Sequence, residues 1–225
     1  EGLVVIGGDG SLRGAKLLDE MGLPVVGLPG TIDNDIWGTD YTIGFDTAVN
    51  TVVDAINKLR DTASAHGRVM VIEVMGRKSG WIAMTAGLAG GAEQILIPEM
   101  EVNLAEICDQ LRVSRSNGKK YSIVVVAEGV EGASEIGNRI IAETGLETRV
   151  SVLGHIQRGG SPTVFDRILA STLSEQAVLS LKSGISGVMF GYEKGSVVAV
   201  DLIAAVEKRK EIDPGMFRLA AVLAK

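Results

Sequence analysis

Nearly unbroken aliphatic runs, each ending in a glycine-bearing polar loop, constrain this chain more than any other feature. Leu3–Ile6, Pro24–Leu28, Val69–Val74 and Ser122–Ala127 do not alternate apolar with polar residues. That is the pattern of strands buried on both faces. Between them stand segments with apolar residues at helical spacing: Leu12, Ala15, Leu18 and Met21 over 11–21, and Val49, Val53, Ile56 and Leu59 over 46–64. Strand alternating with helix predicts an α/β fold of doubly wound layers with mainly parallel sheets. Ligands of such folds bind outside the carboxyl ends of the strands, so the loops at those ends are the first place to seek chemistry.

Two of the loops are acidic. Gly7-Gly8-Asp9-Gly10-Ser11 is a glycine turn between a strand and a helix. Its amides and the helix N-terminus suit phosphate. Asp9 would oppose a bare phosphate, which points to a Mg²⁺ bridging the two; the competing reading is a plain tight turn. The spacing is that of neither a Walker A loop nor a Rossmann fingerprint. Pro29-Gly30-Thr31-Ile32-Asp33-Asn34-Asp35 gathers two carboxylates, a hydroxyl and an amide beyond a strand that Pro29 is expected to stop. Gly30 permits close backbone approach. Taken alone, this stretch is equally well a loop rich in Asx turns. The acidic glycine turn upstream favours the ligand-binding reading.

Other strand ends carry cations. Met75-Gly76-Arg77-Lys78-Ser79-Gly80 sets two cations between glycines, either as an anion site or as a βα loop with surface charges. Gly154-His155-Ile156-Gln157-Arg158-Gly159-Gly160-Ser161-Pro162 follows the strand Thr148–Leu153 and precedes a helix expected over Asp166–Lys182. Histidine, arginine and paired glycines at a helix start read as a phosphate clamp. Glu128 either accepts from substrate hydroxyls or caps the chain. Arg68, at the entry of a strand, reads most simply as a surface charge. A helix starts at Trp81, a short strand covers Gln94–Pro98, and Asn103 with Glu106 caps a helix running to Asn117. The tail carries a strand over Gly187–Tyr192, a connection and a helix from Leu202. Acidic loops with a metal suit a nucleotide's polyphosphate, and basic loops suit a second phosphorylated molecule. Two such partners imply phosphoryl transfer.

Composition removes several alternatives. A chain of 225 residues, 46% hydrophobic and 4% aromatic, is an aliphatic globular protein with enough length for one large or two small domains. Its formal charge of −6 argues against a nucleic-acid binder. One cysteine, Cys108, leaves no internal disulfide and fits a reducing cytosol. No apolar run approaches the roughly 20 residues of a membrane span, and no signal peptide is visible. The chain opens without Met, directly into a strand, so a missing N-terminal segment is expected.

The motifs GGDGS at 7–11, PGTIDND at 29–35, MGR at 75–77 and GHIQRGGSP at 154–162 resemble, over essentially the whole chain, the bacterial type of ATP-dependent 6-phosphofructokinase. The resemblance implies two doubly wound domains with the active site in the cleft between them. Residues 1–44 with 157–207 would bind nucleotide, and 45–156 with 208–225 would bind fructose 6-phosphate. It implies that Asp33 is the base taking the proton of the sugar's 1-hydroxyl, that Thr31 positions the transferred phosphate, and that Arg77 completes the catalytic set. Asp9 and Asp35 would hold Mg²⁺, and Gly8, Asp9, Gly10 and Ser11 would line ATP. Thr31, Asp33, Asp35, Met75, Gly76, Arg77, Glu128, His155 and Arg158 would meet the sugar phosphate. Arg68 and Arg149 would reach it from a neighbouring subunit, making a cytoplasmic homo-oligomer, usually a tetramer, part of the site. An effector site between subunits would fall at Arg60, Glu93 and Lys119, where Asn117 and Tyr121 replace basic residues of the pattern.

Rivals are distinguished by residues. Pyrophosphate-using relatives carry Asp after GGD and Lys in place of Gly30, so the glycines at 10 and 30 favour ATP. NAD or diacylglycerol-type kinases share only the GGDG turn. A non-catalytic or truncated regulatory chain is the third reading, because in the family further nucleotide contacts lie upstream of Glu1.

Overall fold

The first apolar run forms β1 (Leu3–Gly7) in the computed structural model, which describes residues 1–223. Residues 224 and 225, the end of the second expected domain, lie outside the described residues. There follow α1 (Asp9–Glu20), β2 (Val25–Thr31), β3 (Ile43–Gly44), α2 (Phe45–His66), β4 (Val69–Val74), α3 (Trp81–Ala89) and β5 (Gln94–Leu96). Next come α4 (Leu104–Ser116), β6 (Ser122–Ala127), α5 (Ala133–Thr144) and β7 (Thr148–Val152). After a 3₁₀ turn over Gly154–Arg158 the chain continues through α6 (Val164–Lys182), β8 (Val188–Glu193), β9 (Ser196–Asp201), α7 (Leu202–Glu207) and α8 (Pro214–Leu223). These elements group into two units, residues 1–47 with 160–211, and residues 48–159 with the segment from Ile212 on.

The first unit has a sheet of order β1-β2-β8-β9, with β3 beside β2; all pairs are parallel except β8–β9. Adjacent residues of β2 serve opposite faces, as the pleat requires. Val25 packs with Leu12 and Ala15 of α1 and Leu202 and Val206 of α7. Val26 and Leu28 pack with Leu169, Leu173 and Ala177 of α6. Helices on both faces explain why β2 is apolar from Val25 to Leu28. Contrary to expectation, Pro29 does not stop β2, which runs to Thr31. At Pro29 the strand pairs with β1 alone, since β8 pairs only at Val26 and Gly27 and β3 only at Gly30 and Thr31. The missing N–H therefore falls in a gap of the ladder.

The second unit has a wholly parallel sheet of order β5-β6-β4-β7. Val69, Val71, Val124 and Val126 meet Leu104, Cys108 and Leu111 of α4 and Ile136 and Ile140 of α5. Cys108 is a buried apolar filler there, and burial raises its thiol pKa. On the other face α3 packs against β5 and β6.

Helix α5, strand β9, the two-residue β3 and the separate tail helix α8 go beyond the elements expected from the sequence. Helix α5 buries Ala133, Ile136, Gly137 and Ile140, an amphipathic stripe. Strand β9 pairs with β8 across the two-residue turn Lys194-Gly195, with φ of 49° and 84°. Positive φ at both turn residues is the primed hairpin geometry, which lysine in the first position disguises, since Asn or Asp is usual there.

Candidate active site

Glycines let the two acidic segments of the first unit approach each other. A Cβ on Gly30 would lie 2.7 Å from the Ile6 side chain, and one on Gly8 would lie 3.3 Å from Cβ of Thr31. Helix α1 begins two residues earlier than expected, so Asp9, Gly10 and Ser11 form its first turn rather than a loop. Gly8 is its N-cap, and the carbonyl of Gly8 accepts from the Leu12 N–H at 3.0 Å. Asp9 is exposed and pairs with Arg13 one turn on, Nε to Oδ1 3.0 Å. An exposed pair of this kind contributes only about 0.3–0.5 kcal/mol, so Asp9 exchanges partners readily. Beside it, an added Cβ on Gly10 would meet no atom within 4 Å.

The second acidic segment is fixed by its polar side chains. Thr31 Oγ1 accepts from the Asp33 N–H at 3.2 Å. Asn34, only 1% exposed, donates through Nδ2 to the Asp40 carbonyl at 3.0 Å and accepts from the Thr42 N–H at 3.0 Å. Thr42 donates to the Asp33 carbonyl at 3.3 Å. Asn34 is thus the staple of the loop, not one of its ligand groups, while Asp33 and Asp35 on either side stay partly accessible.

Residues far along the chain hold this segment, and no local signal marks them. The Lys210 N–H donates to the Asp35 carbonyl at 3.3 Å, and its ammonium donates to the Asp40 carbonyl. Burial lowers the Lys210 pKa to about 8, against the opposing pull of Asp40, Asp35 and Glu193. Asp166, 2% exposed, accepts from the N–H groups of Gly44 and Thr47, both at 2.9 Å. A carboxylate from α6 therefore caps the start of α2, where the helix dipole favours it.

In the second unit, Met75, Gly76 and Arg77 follow β4. The Gly76 and Arg77 N–H groups donate to one oxygen of Glu128, at 3.2 and 2.7 Å. Of the two readings of Glu128, the structure thus displays the capping one. The Met75 N–H donates to the buried Gln157 Oε1 at 3.1 Å, and Gln157 Nε2 donates to the Gly154 carbonyl at 3.0 Å. Gln157, between His155 and Arg158, ties the 3₁₀ turn to the end of β4. Arg77 has φ 54°, a left-handed conformation that a non-glycine residue keeps only where its surroundings impose it. His155 and Arg158 are exposed on the 3₁₀ turn. They do not stand at a helix start: α6 begins at Val164, capped by Thr163, whose Oγ1 accepts from the Asp166 N–H at 3.2 Å. The chain needs the intervening glycines and proline to leave the turn before it can enter helical φ/ψ.

Arg68 and Arg149 lie elsewhere. The parallel register pairs Val69 with Thr148, so both arginines stand at the amino ends of β4 and β7. Met75–Arg77, His155 and Arg158 stand at the carboxyl ends, roughly 20 Å away along a six-residue strand. One chain does not bring the two groups together.

The expected effector residues all have internal partners. Arg60 donates to the carbonyls of Gly90 and Gly91, closing the end of α3. Glu93, 9% exposed, is paired with Lys119 at 2.8 Å and accepts from the Ile123 N–H. Glu93 also lines a cavity of about 720 Å³ with Met100, Glu106, Asp109 and Phe217, whose charged lining is all acidic.

Parallel α/β units whose strand ends carry acidic glycine turns and cationic loops define an α/β phosphotransferase. Residues 1–181 match the family model described as phosphofructokinase. Over 223 residues the chain is 58% identical to an ATP-dependent 6-phosphofructokinase of Bacillus pumilus and 59% identical to that of Bacillus licheniformis, spanning 99% of this chain and 70% of each relative. A solved phosphofructokinase from Saccharomyces cerevisiae superposes with a TM-score of 0.85 at 34% identity, covering 92% of this chain and 32% of that one. The chain belongs to the phosphofructokinase family.

Proposed function

We propose that the chain transfers the γ-phosphoryl group of ATP to the 1-hydroxyl of fructose 6-phosphate, releasing ADP and fructose 1,6-bisphosphate. The observation that carries the choice of donor is the glycine geometry. The first turn of α1 is open at Gly10, where an added Cβ would meet no atom within 4 Å, and a side chain at position 30 would collide with Ile6. Relatives named for ATP, more than half identical, support the same donor.

Gly8, Gly10 and Ser11 offer the first turn of α1 to the polyphosphate, where backbone N–H groups and the helix dipole favour anions. Thr31, against Gly8, positions the transferred group. Asp33 takes the proton of the 1-hydroxyl as it attacks. Arg77 supplies positive charge to offset the charge that develops on the transferred phosphoryl group. Met75, Gly76 and Glu128 shape the sugar site, and His155 and Arg158 hold the 6-phosphate.

Among the described residues no group of three or more His, Cys, Asp or Glu side chains would hold a metal by itself. Magnesium is usually held by one or two carboxylates plus substrate phosphates, so Asp9 and Asp35 fit an ion that arrives with ATP. When bound, Mg²⁺ neutralises charge on the transferring phosphates.

Arg68 and Arg149, at the other end of the second sheet, complete the 6-phosphate site of a neighbouring copy. That arrangement calls for a homo-oligomer, and we assign a tetramer. Among the described residues no helix is long and apolar enough to cross a membrane, and we place the enzyme in the cytoplasm with glycolysis.

The test is ADP release with fructose 6-phosphate, Mg²⁺ and either ATP or pyrophosphate. Turnover with ATP alone is expected. Orthophosphate release from pyrophosphate would overturn the donor, and silence with both would overturn the reaction.

A further inference from the structure

We propose that Glu147 is a positioning residue that holds Arg68 and Arg149 together as one anion clamp. The inference rests on the sugar-phosphate reading given above. The parallel β4–β7 register, with Val69 opposite Thr148, sets Arg68 across from Glu147, and the Val69 N–H donates to the Glu147 carbonyl at 2.9 Å. Arg149 follows Glu147 by two residues, so both project on the same side of the extended chain.

One oxygen, Oε1 of Glu147, accepts from Arg68 Nε at 2.8 Å and from Arg149 Nη2 at 2.7 Å. The two guanidinium groups stay charged at any working pH and repel each other. A carboxylate between them offsets that repulsion and fixes their separation. Arg68 spends its Nε on Glu147, and its terminal Nη groups are left for a ligand. Those groups form the edge that binds phosphate in a bidentate manner. With two arginines and one carboxylate the cluster keeps a net charge of +1, so it still attracts a phosphate monoester. Its members are partly exposed, at 23% for Arg68, 56% for Arg149 and 46% for Glu147, so an incoming ligand reaches them.

Neither arginine's placement makes sense for substrate held at the carboxyl ends of its own strands. The clamp therefore serves a sugar phosphate on a second copy of this chain. Glu147 touches no substrate in this arrangement; it acts only through the two arginines.

Four measurements test the role on the purified protein: calorimetric affinity for fructose 6-phosphate, KM for the same ligand, KM for ATP, and kcat. Glu147→Ala is expected to weaken affinity and raise KM about five- to tenfold, the effect of losing two partly exposed charged hydrogen bonds. Glu147→Gln, which keeps the acceptor oxygen and loses the charge, should fall between. The KM for ATP and kcat at saturating sugar should not change. In an Arg68→Ala/Arg149→Ala background, Glu147→Ala should have no further effect on KM. Unchanged or tighter sugar affinity in Glu147→Ala, or a full effect persisting without both arginines, would overturn the proposal. Failure of the unaltered protein to bind fructose 6-phosphate at all would instead remove the underlying reading, and this inference with it.

Discussion

In the proposed reaction Asp33 and Arg158 have different tasks, and kinetics separates them. A base that removes a proton in the transition state acts on kcat and contributes roughly 10²–10⁴-fold. Asp33→Asn keeps the size of the side chain and removes the basicity, so kcat should fall within that range while KM for fructose 6-phosphate hardly moves. A fully active variant would sink the role. Arg158 is exposed on its turn, and in the proposed role its charge meets phosphate in ground and transition state alike. Arg158→Ala should therefore raise KM and leave kcat nearly intact; an unchanged KM would refute it.

The loop between β2 and α2 is an element whose shape is held from within and from far away. Asn34 satisfies two backbone groups while buried. Asn34→Ala strands both and should cost ~1–3 kcal/mol by urea denaturation, with kcat falling because Asp33 and Asp35 lose their frame. A variant of native stability would deny Asn34 this part. Lys210 closes the same loop from outside it. Its ordinary pKa of 10.5 falls to about 8 in the fold. Between those values the unfolded chain holds a proton that the folded chain has released, so this group adds stability as pH rises, by at most ~1.4 kcal/mol per pH unit. Below pH 8 its contribution is flat. Denaturation in EDTA at pH 8 and pH 10 should show the protein gaining on Lys210→Met between the two pH values; a constant difference would contradict the buried ammonium.

At the scale of the whole molecule, the separation of cationic groups along the second sheet has a genetic consequence. If one copy supplies Asp33 and another supplies Arg68 and Arg149, two damaged copies can repair each other. Hybrids of Asp33→Asn and Arg149→Ala chains should recover sites in which both residues are intact, with KM near that of the unaltered protein in that fraction. Mixtures no better than the sum of the two variants would place the arginines outside the site.

Much of this was legible along the chain. The apolar runs marked β2, β4 and β6 because strands covered on both faces need no polar residue; β1 carries the same kind of run at the edge of its sheet and, against that expectation, leaves Leu3 and Ile6 exposed. The glycine turns marked the site because glycine lets the chain close tightly at positions 8 and 30, where a Cβ would meet Thr31 and Ile6. Less visible were α5, whose stripe is short, and β9, whose turn starts with lysine. The passage of β2 through Pro29 depended on which neighbours pair where. Asn34 and Gln157 carry the same chemistry as ligand groups, and only their burial showed them to be braces. Asp166, Lys210 and Glu147 reach their partners through the packing of strands and helices from distant segments, so no local pattern announces them. Side-chain chemistry and hydrophobic period are properties of neighbouring residues, and the sequence by itself determined the layered fold and the class of chemistry from them. Which polar groups are spent on holding the chain and which are left for substrate is a matter of burial and register, and only the tertiary structure decided it.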